Sequence, residues 1–511
     1  MIERLIALLA LSLIVGIPFG IVFALTSHLL LYFIFMYPLF MSGLWIGGGL
    51  IFWFQHERGT SYKPNPPPEL EGMPLVSILI PCFNEELNVR QTIFAALAQV
   101  YPNIEVVAIN DGSSDNTAQL LNQLSEEHEK LRVIHLAENQ GKAMALRMGA
   151  VTANGDYLVC IDGDALLDAE GVNYLVAPML AQPEVGAVTG NPRVRTRSTL
   201  IGRIQVGEFS SIVGLIKRTQ RGYGKVVTSS GVIAAFRRQA LEEVDYWSLD
   251  MITEDIDVTW KLQLARWEVF YEPRALCWVL MPETLKGLFK QRLRWAQGGA
   301  ETFLKYTPQV VRWENRSMWP LLTEYLLSTF WSFALGVALL VWLVGQLLPL
   351  PSAMYIEGLF PPSFTGMVLA AMCLLQFTVS TWIDRRYEAN LYQSMFWIIW
   401  YPVIYWLGNF FTTLTTFLLY GLVLGLNALL LFGWSRWHQR AMPRGGVDAQ
   451  RLTSMRERPT SSLQFAEKHI DTVRNSQVVV LYHSQDGAVA DVKPAVSNQP
   501  RQYGSCNSLL G

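Results

Sequence analysis

Long runs of apolar residues without a formal charge mark both ends of the chain. No Asp, Glu, Lys or Arg occurs between Arg4 and Glu57. A membrane span needs about 20 apolar residues, so this run predicts two transmembrane helices within residues 1–56, over 5–25 and 31–54. A signal peptide is the alternative, but its apolar core is usually only about 7–15 residues long. We therefore expect a membrane hairpin in this part of the chain.

Charge-free runs return in the last third of the chain, over residues 325–356, 358–383 and 389–435. The last run would measure roughly 70 Å as one helix, more than twice the thickness of a bilayer core, so it predicts two spans or one bent helix. Together the runs predict C-terminal transmembrane helices over 319–434 and five or six spans in all. By the positive-inside rule, the basic pair after Asp384 and the basic middle of the chain lie in the cytoplasm.

Between the two membrane clusters, short apolar strands alternate with amphipathic helices. A proline-rich linker over 57–74 leads into this region. Predicted strands and helices then alternate in the order 76–81, 89–99, 104–110, 117–128, 133–136, 142–153 and 157–161. This alternation predicts a largely parallel sheet covered by helices on both faces. Ligands of such sheets bind at the carboxyl ends of the strands, so the candidate chemistry is sought there.

The remaining segments complete the predicted organisation of the chain. We expect the α/β domain to cover 75–284 in the cytosol, and a basic, partly apolar helix to lie at the membrane interface over 285–315. Residues 435–511 are polar and only 478–482 resemble a strand, so we expect a disordered tail. The fold class is therefore an integral membrane α-helical bundle with a cytosolic α/β domain.

Composition agrees with a membrane protein and excludes several other classes. Charged residues make up 16% of the 511 residues, whereas soluble domains usually carry about a quarter. Forty Lys and Arg against 42 Asp and Glu give a net charge of −2, so a nucleic acid is not an expected partner. The five cysteines form no CxxC pair, which excludes a zinc ribbon and a dense disulfide scaffold.

Acidic and polar residues follow the predicted strands. Pro81 and Asn84 lie at the end of the first strand, and Asp111 follows the second, although an Asp-Gly pair after a strand is often only a turn. Asp162 and Asp164 follow the fourth strand with a glycine between them. Two such carboxylates suit Mg²⁺, which completes its shell with water and ligand phosphate oxygens. The sequence lacks the distal ligands of an EF-hand and has no Walker A motif.

Three further segments carry candidate chemistry. Lys142 begins a predicted helix, where it can contact a phosphate. Glu254 and Asp255 precede an amphipathic helix, and the alternative for them is an ordinary N-cap cluster. A Gln-Arg-Leu-Arg-Trp segment, 291–295, lies in the basic helix, and the alternative for that helix is a simple membrane-surface role.

Taken in this order and between two membrane clusters, the motifs resemble those of the processive inverting glycosyltransferases of family 2. They are Asp111, Asp162-Gly163-Asp164, Thr253-Glu254-Asp255 and Gln291-Arg292-Leu293-Arg294-Trp295. Cellulose, hyaluronan and chitin synthases share this scheme, and residues 2–416 most resemble the group of bacterial poly-β-1,6-N-acetyl-D-glucosamine synthases. The resemblance implies that the cytosolic domain is a nucleotide-sugar transferase of the GT-A type.

The resemblance also implies a role for each candidate residue. Asp162 and Asp164 would hold Mg²⁺, or Mn²⁺ instead, and the donor diphosphate, while Asp255 would be the general base. The remaining substrate-binding candidates are Pro81, Asn84 and Asp111 for the uridine, Lys142 and Glu254 in the donor site, Ser230 near the acceptor, and Gln291, Arg292, Arg294 and Trp295 for the diphosphate and the acceptor sugar.

By the same resemblance, the chain would polymerise N-acetylglucosamine from UDP-GlcNAc and pass the growing polysaccharide through the lipid bilayer of the bacterial inner membrane for the biofilm matrix. Relatives imply a small two-span accessory membrane subunit as a partner, with cyclic di-GMP as an activator of the pair. Two other enzymes remain open, namely a synthase for another UDP-sugar and a transferase that loads one sugar onto a polyprenyl phosphate. A channel with an acidic regulatory domain is the alternative outside enzymes.

Overall fold

The computed structural model describes most of the chain between the first apolar run and the tail. The described residues are 17, 27–63, 66–352, 354–356, 358, 363–388, 391–394, 406–418, 478–483 and 489–494. They form an α/β part built on a ten-stranded sheet and three long apolar helices. The predicted span over 5–25, apart from residue 17, and most of the predicted run over 389–435 lie outside the described residues.

The alternating segments after the first apolar helix have the predicted structure. In chain order they are α1 (Ser27–Phe52), β1 (Val76–Cys82), α2 (Val89–Leu97), β2 (Ile104–Asp111), α3 (Thr117–Glu127), β3 (Leu131–Leu136), α4 (Lys142–Thr152) and β4 (Tyr157–Ile161). Each strand and helix after α1 begins and ends within about two residues of its predicted bounds, because short apolar runs bounded by turn residues alternate with longer helical segments.

The second half of the described chain returns to the same sheet and then to apolar helices. Its elements are β5 (Leu166–Leu167), α5 (Gly171–Ala181), β6 (Val185–Val194), α6 (Leu200–Glu208), α7 (Leu215–Gly222), β7 (Ile233–Arg237), α8 (Arg238–Glu243), α9 (Glu254–Leu264), β8 (Glu268–Val279), α10 (Leu285–Val310), α11 (Trp319–Leu347), α12 (Ser363–Asp384), α13 (406–418), β9 (Val478–His483) and β10 (Val489–Pro494). A π-helical turn, Phe209–Gly214, joins α6 to α7. The helix predicted over 285–315 ends at Val310.

One sheet carries all the strands, in the order β10-β9-β3-β2-β1-β4-β7-β6-β8-β5. Strands β3, β2, β1 and β4 run parallel as predicted, whereas β7 is antiparallel to both β4 and β6. Strand β7 runs antiparallel because of the connection between β6 and β7. In this connection α7 packs against α1, and the π-helical turn packs against α12. The chain therefore does not cross back to the other end of the sheet, and the loop before β7 lies at the carboxyl ends of β1, β4 and β6.

The core of the α/β part lies on both faces of the sheet. Side chains alternate along each strand, so Ile78 and Ile80 pack into one apolar cluster while Leu79 packs into the other. All three side chains are fully buried. A sheet that is buried on both faces offers ligands only its strand ends, which explains why the candidate residues collect at one edge.

Helices α1, α11 and α12 fall in predicted membrane runs, and each overlaps a helical stretch long and apolar enough to cross a membrane. Helix α11 begins at Trp319, the first residue of the predicted C-terminal helices, and it includes Glu324 just before the charge-free run from 325. The half-buried Glu324 carboxylate accepts hydrogen bonds from Trp45 Nε1 at 3.3 Å and Tyr223 OH at 2.9 Å. These partners offset the cost of removing a carboxylate from water.

Buried ion pairs join the sheet to the ends of the apolar helices. Arg193 on β6 contacts Asp384 at the end of α12 at 2.8 Å. Arg218 on α7 contacts the same carboxylate at 2.8 Å and Glu57, which follows α1, at 2.6 Å. All four side chains are at most 3% exposed. The α/β part and the apolar helices are therefore one packed unit.

The tail differs from the expectation that residues 435–511 lack regular structure. Strand β9 pairs in parallel with the edge strand β3, and β10 pairs antiparallel with β9. An edge strand presents unpaired backbone N–H and C=O groups that another strand can satisfy, and the valine-rich segment of β9 supplies such a partner. The other residues of the tail lie outside the described part of the chain.

Candidate active site

A cavity of about 600 Å³ opens at the carboxyl edge of the sheet, and we call it the main cavity. Helices α4 and α10, the strand ends and the loops before β7 and α9 all contribute to its wall. The predicted site residues that line it are Lys142, Asp162, Asp164, Ser230, Glu254, Asp255, Gln291, Arg294 and Trp295. Pro81, Asn84, Asp111 and Arg292 are not among its lining residues.

Lys142 is the central cation of the main cavity. Its Nζ lies 2.6 Å from Asp162 Oδ1 and 3.0 Å from Glu254 Oε1, and it donates a hydrogen bond to the carbonyl oxygen of Gly231 at 2.9 Å. Burial alone would lower the pKa of Lys142, but the two carboxylates outweigh it and hold that pKa well above its usual range. Lys142 therefore stays charged and links α4, β4, α9 and the loop before β7.

Asp255 is a half-buried carboxylate in the first turn of α9. Its Oδ2 accepts a hydrogen bond from Gly231 N at 3.0 Å, and its Oδ1 accepts one from Ile256 N at 2.9 Å. Burial, and then the charge of Glu254, raise the pKa of Asp255 to about 6. Burial would also raise the pKa of Glu254, but the positive charge of Lys142 outweighs burial and lowers that pKa. The two adjacent carboxylates thus differ in proton affinity, and Asp255 has the greater affinity.

Asp162 and Asp164 face the main cavity from the turn after β4. Burial, followed by the charges of Asp162 and Glu85, raises the pKa of Asp164 to about 7. A bound cation favours the charged form of a carboxylate whose pKa is raised by neighbouring negative charge, so Asp164 would gain from a cation at this position. No group of three metal-ligating side chains occurs among the described residues, and the pair instead fits the way Mg²⁺ is held by one or two carboxylates together with substrate phosphates.

Gly231 allows the loop before β7 to approach both Lys142 and Asp255. A Cβ atom at this position would lie 3.1 Å from Lys142 Nζ and 3.2 Å from Asp255 Oδ2. Both distances are shorter than ordinary van der Waals contacts, and neither of these bonded side chains can move without losing a hydrogen bond. Next to it, Ser230 donates its backbone N–H to Thr189 Oγ1 at 2.8 Å.

Helix α10 brings Gln291, Arg294 and Trp295 to the main cavity. A glycine permits this close crossing, because a Cβ on Gly298 would lie 1.9 Å from Thr253 Oγ1. Arg292, in contrast, turns away and contacts the buried Glu208 of α6 at 2.6 Å. The structure therefore does not bring Arg292 to the cavity wall.

Pro81, Asn84 and Asp111 lie together at the ends of β1 and β2, outside the wall of the main cavity. The Asp111 carboxylate accepts hydrogen bonds from the backbone N–H groups of Gln140 and Gly141, at 2.8 and 2.9 Å. Asn84 adopts a left-handed backbone conformation with φ of 56° and accepts a hydrogen bond from Ser114 N at 2.9 Å. The uridine contact expected for these residues stays a prediction.

Sequence reasoning missed two residues at this edge. Lys217 and Thr189 are buried, and Lys217 Nζ donates a hydrogen bond to Thr189 Oγ1 at 2.9 Å. Lys217 also lines the main cavity. Neither residue lies in a recognisable motif, so only the packing of α7 against β6 could have identified them.

Comparisons with known proteins identify the family of this chain. A family model described as "Glycosyltransferase like family 2" matches residues 74–298. A poly-β-1,6-N-acetyl-D-glucosamine synthase of Staphylococcus epidermidis is 39% identical over 379 residues, which are 74% of this chain and 91% of that protein. A synthase of the same name from Staphylococcus aureus (strain COL) is 38% identical over 385 residues, or 75% and 93% of the two chains.

Among solved structures, a mannosyltransferase from Pyrobaculum calidifontis in complex with GDP-Man and Mn²⁺ is 21% identical, with a TM-score of 0.45 over 72% of this chain and 99% of that chain. The curated synthases are the relatives that decide the assignment, since the match covers nearly their whole length at well over 30% identity. The protein is a glycosyltransferase, and its chain belongs to glycosyltransferase family 2.

Proposed function

We propose that this protein transfers N-acetylglucosamine from UDP-GlcNAc to the growing end of a poly-β-1,6-N-acetyl-D-glucosamine chain, with inversion at the anomeric carbon. The observation that carries the proposal is one cavity whose wall contains Asp255 together with the Asp162 and Asp164 pair. The names of the synthases from the two staphylococci supply the sugar and the linkage.

Asp255 acts as the general base in this proposal. A sugar hydroxyl is a poor nucleophile at neutral pH, so a positioned group must accept its proton during attack. The hydroxyl oxygen bonds to the anomeric carbon, the proton moves to the Asp255 carboxylate, and the electron pair of the broken bond leaves with the β-phosphate of UDP. Two backbone N–H groups hold Asp255 in place. A single displacement turns an α-linked donor into a β-linked product without a covalent enzyme intermediate.

Asp162 and Asp164 would hold a divalent cation, Mg²⁺ or Mn²⁺, together with the donor diphosphate. Such an ion stabilises the negative charge that develops on the departing diphosphate. Lys142 holds Asp162 from the side of α4, and Arg294 supplies a second positive group on the cavity wall. Trp295 offers an aromatic face on which the acceptor sugar stacks.

The polymer leaves through a second cavity of about 300 Å³, which lies beside the apolar helices. The two cavities share Val213, Lys217 and Thr228 in their walls. Aromatic residues line the second cavity, among them Tyr37, Trp45, Tyr325 and Trp406. The adjacent positions of the two cavities support export of the chain as it grows, with the protein multi-pass in the bacterial inner membrane and its sheet on the cytoplasmic side.

The test is incorporation of labelled donor into high-mass polymer by membranes that carry the full chain. UDP-GlcNAc, UDP-glucose and UDP-glucuronate are compared, with a two-span accessory subunit and cyclic di-GMP each supplied or withheld. We expect polymer only from UDP-GlcNAc, and loss of synthesis when a chelator removes divalent cations. Higher synthesis with the subunit and cyclic di-GMP would support both proposed partners.

Asp255→Asn is the matched variant, since it keeps the shape of the side chain and removes the base. We expect its polymer synthesis to fall by about 10²–10⁴-fold, with UDP binding retained. An Asp250→Asn variant, at an exposed position in the preceding loop, is the control and should behave as the wild type. A solvent-extractable monosaccharide lipid as the product would instead identify a polyprenyl-phosphate transferase and overturn the proposal.

A further inference from the structure

Lys217 lies at the point where the main cavity meets the second cavity. It belongs to α7 and lines both cavities, yet its side chain as a whole is only 5% exposed. A growing chain that occupies both cavities would therefore lie beside the side chain of Lys217.

The amine of Lys217 is a buried cation without a carboxylate partner. Its hydrogen bond goes to a neutral hydroxyl, Thr189 Oγ1, at 2.9 Å. Among the described residues no carboxylate lies within ion-pair distance of Lys217, whereas the buried Arg218 contacts two carboxylates. Burial accordingly lowers the pKa of Lys217 to about 7. Both the charged and the neutral amine keep N–H groups beyond the one that Thr189 accepts.

Apolar as well as polar side chains lie near this donor: Thr228 lines both cavities, and the Tyr271 ring lies 6.0 Å from Lys217 Nζ. Val213 precedes Lys217 by four residues and lines the same two cavities, as expected for neighbours on one helical face. Phe209 and Pro192 line the main cavity as well. One hydrogen-bond donor beside apolar surface matches an acetamido group, in which a carbonyl oxygen lies next to a methyl group. A hydroxyl has no such apolar part.

We propose that Lys217 binds the carbonyl oxygen of the acetamido group on an N-acetylglucosamine unit of the growing chain, and that it thereby selects N-acetylated acceptors. The proposal rests on the proposed function, because it assumes an acceptor made of amino sugars. Lys217 is here a specificity residue, and the proton transfer stays with Asp255. An acceptor unit with a free amine would bring a second amine against Lys217 and leave its N–H groups unpaired, which is costly in a buried site.

The experiment measures how two trisaccharides change polymer synthesis from UDP-GlcNAc in membranes that carry the full chain. One trisaccharide is β-1,6-linked N-acetylglucosamine, and the other is the same compound after removal of its acetyl groups. For each, the concentration with half-maximal effect on the rate, either stimulation or inhibition, is determined. We expect the wild type to prefer the acetylated compound by at least about tenfold.

Lys217→Met removes the hydrogen-bond donor, and the ratio of the two half-maximal concentrations should then be close to one. Lys217→Arg keeps N–H groups at this position and should retain most of it. Lys225→Met removes another lysine close by, which lines neither cavity, and should match the wild type. If the Met variant does not accumulate in membranes, Lys217→Gln is measured in its place and should show an intermediate preference, because its amide keeps a donor without the charge.

Each outcome decides the proposal. If Lys217 has only a structural role, its Met variant will make polymer more slowly with both trisaccharides and will keep the wild-type preference between them. That result overturns the proposal. A wild type that makes polymer but prefers neither trisaccharide, or responds to neither, overturns it as well while leaving the proposed function intact. A wild type that makes no polymer from UDP-GlcNAc under any condition refutes the proposed function itself, and the inference with it.

Discussion

At the scale of single residues, the proposed role of Asp255 as the general base leads to an expected pH dependence. A general base must be unprotonated, and burial together with Glu254 raises the pKa of Asp255 to about 6. Above this pH the carboxylate is ready to accept a proton, whereas below it the base is increasingly neutralised. An unperturbed aspartate would remain charged to about pH 4.

With Mg²⁺ in excess, so that the bound cation keeps Asp164 ionised, we therefore expect kcat/KM for polymer synthesis to fall about tenfold per pH unit below pH 6, and to level off above it, since kcat/KM reports groups of the free enzyme. Initial rates at low donor concentration between about pH 5 and about pH 8 measure this. The residual activity of Asp255→Asn should not show this fall below pH 6. A wild-type profile that stays flat down to about pH 4.5 would contradict the assignment of Asp255 as a raised-pKa base.

Gly231 is the second residue-scale feature with a measurable consequence. Gly231→Ala places a methyl group 3.1 Å from Lys142 Nζ and 3.2 Å from Asp255 Oδ2, so one of these side chains must shift. We expect synthesis to fall on the order of 100-fold, because small misplacements of catalytic groups carry such costs. Gly222→Ala is the control, since a Cβ there meets no atom within 4 Å. Equal rates for the two variants would show that the loop has room to adjust.

At the scale of elements, the crossing of α10 over the start of α9 decides whether the Gln-Arg-Leu-Arg-Trp segment reaches the main cavity. Two neighbouring glycines of α10 differ sharply in their surroundings. A Cβ on Gly298 would lie 1.9 Å from Thr253 Oγ1, whereas one on Gly299 would lie 3.4 Å from a ring atom of Tyr325, an ordinary contact. The first glycine is required by the packing, and the second is not.

We expect Gly298→Ala to destabilise the protein by about 1–3 kcal/mol through overpacking and to lower synthesis, because α10 must move away from α9. Gly299→Ala should change the stability by no more than about 0.5 kcal/mol and polymer synthesis by no more than about twofold. Thermal unfolding in detergent and polymer synthesis in membranes measure the two effects. Indistinguishable melting temperatures for the two variants would argue against the close crossing.

At the scale of the whole molecule, buried charges bind the catalytic part to the apolar helices. Arg218 contacts Glu57 and Asp384, which follow or end two different apolar helices, and Arg193 contacts Asp384 as well. Removing one partner of a buried pair leaves an uncompensated charge in the protein interior, which is costly. The same pairs hold α7, and with it Lys217, beside the main cavity.

Arg218→Met should therefore destabilise the protein by about 3–5 kcal/mol, seen as a lower yield in membranes and a lower melting temperature in detergent. Lys63→Met is the control, because it breaks an ion pair with Asp168 in which the lysine side chain is 46% exposed, and exposed pairs contribute under about 1 kcal/mol. A similar small effect for both variants would show that the buried network adds little to stability.

The sequence by itself determined the alternating strands and helices from β1 to β4, because short apolar runs bounded by turn residues alternate with longer helical segments. It also determined that Asp162, Asp164 and Asp255 belong to strand ends and a helix start, where parallel sheets bind ligands. These are local features, and each can be read within a window of about ten to twenty residues.

Tertiary structure alone decided which of these residues meet. Lys142 joins Asp162 and Glu254 from distant parts of the chain, Arg292 turns to Glu208, and Lys217 reaches the junction of two cavities. It also placed Glu324 inside an apolar helix, since a half-buried charge is tolerated wherever distant side chains supply its hydrogen bonds. Such partners depend on long-range packing, and no local pattern of residues records them.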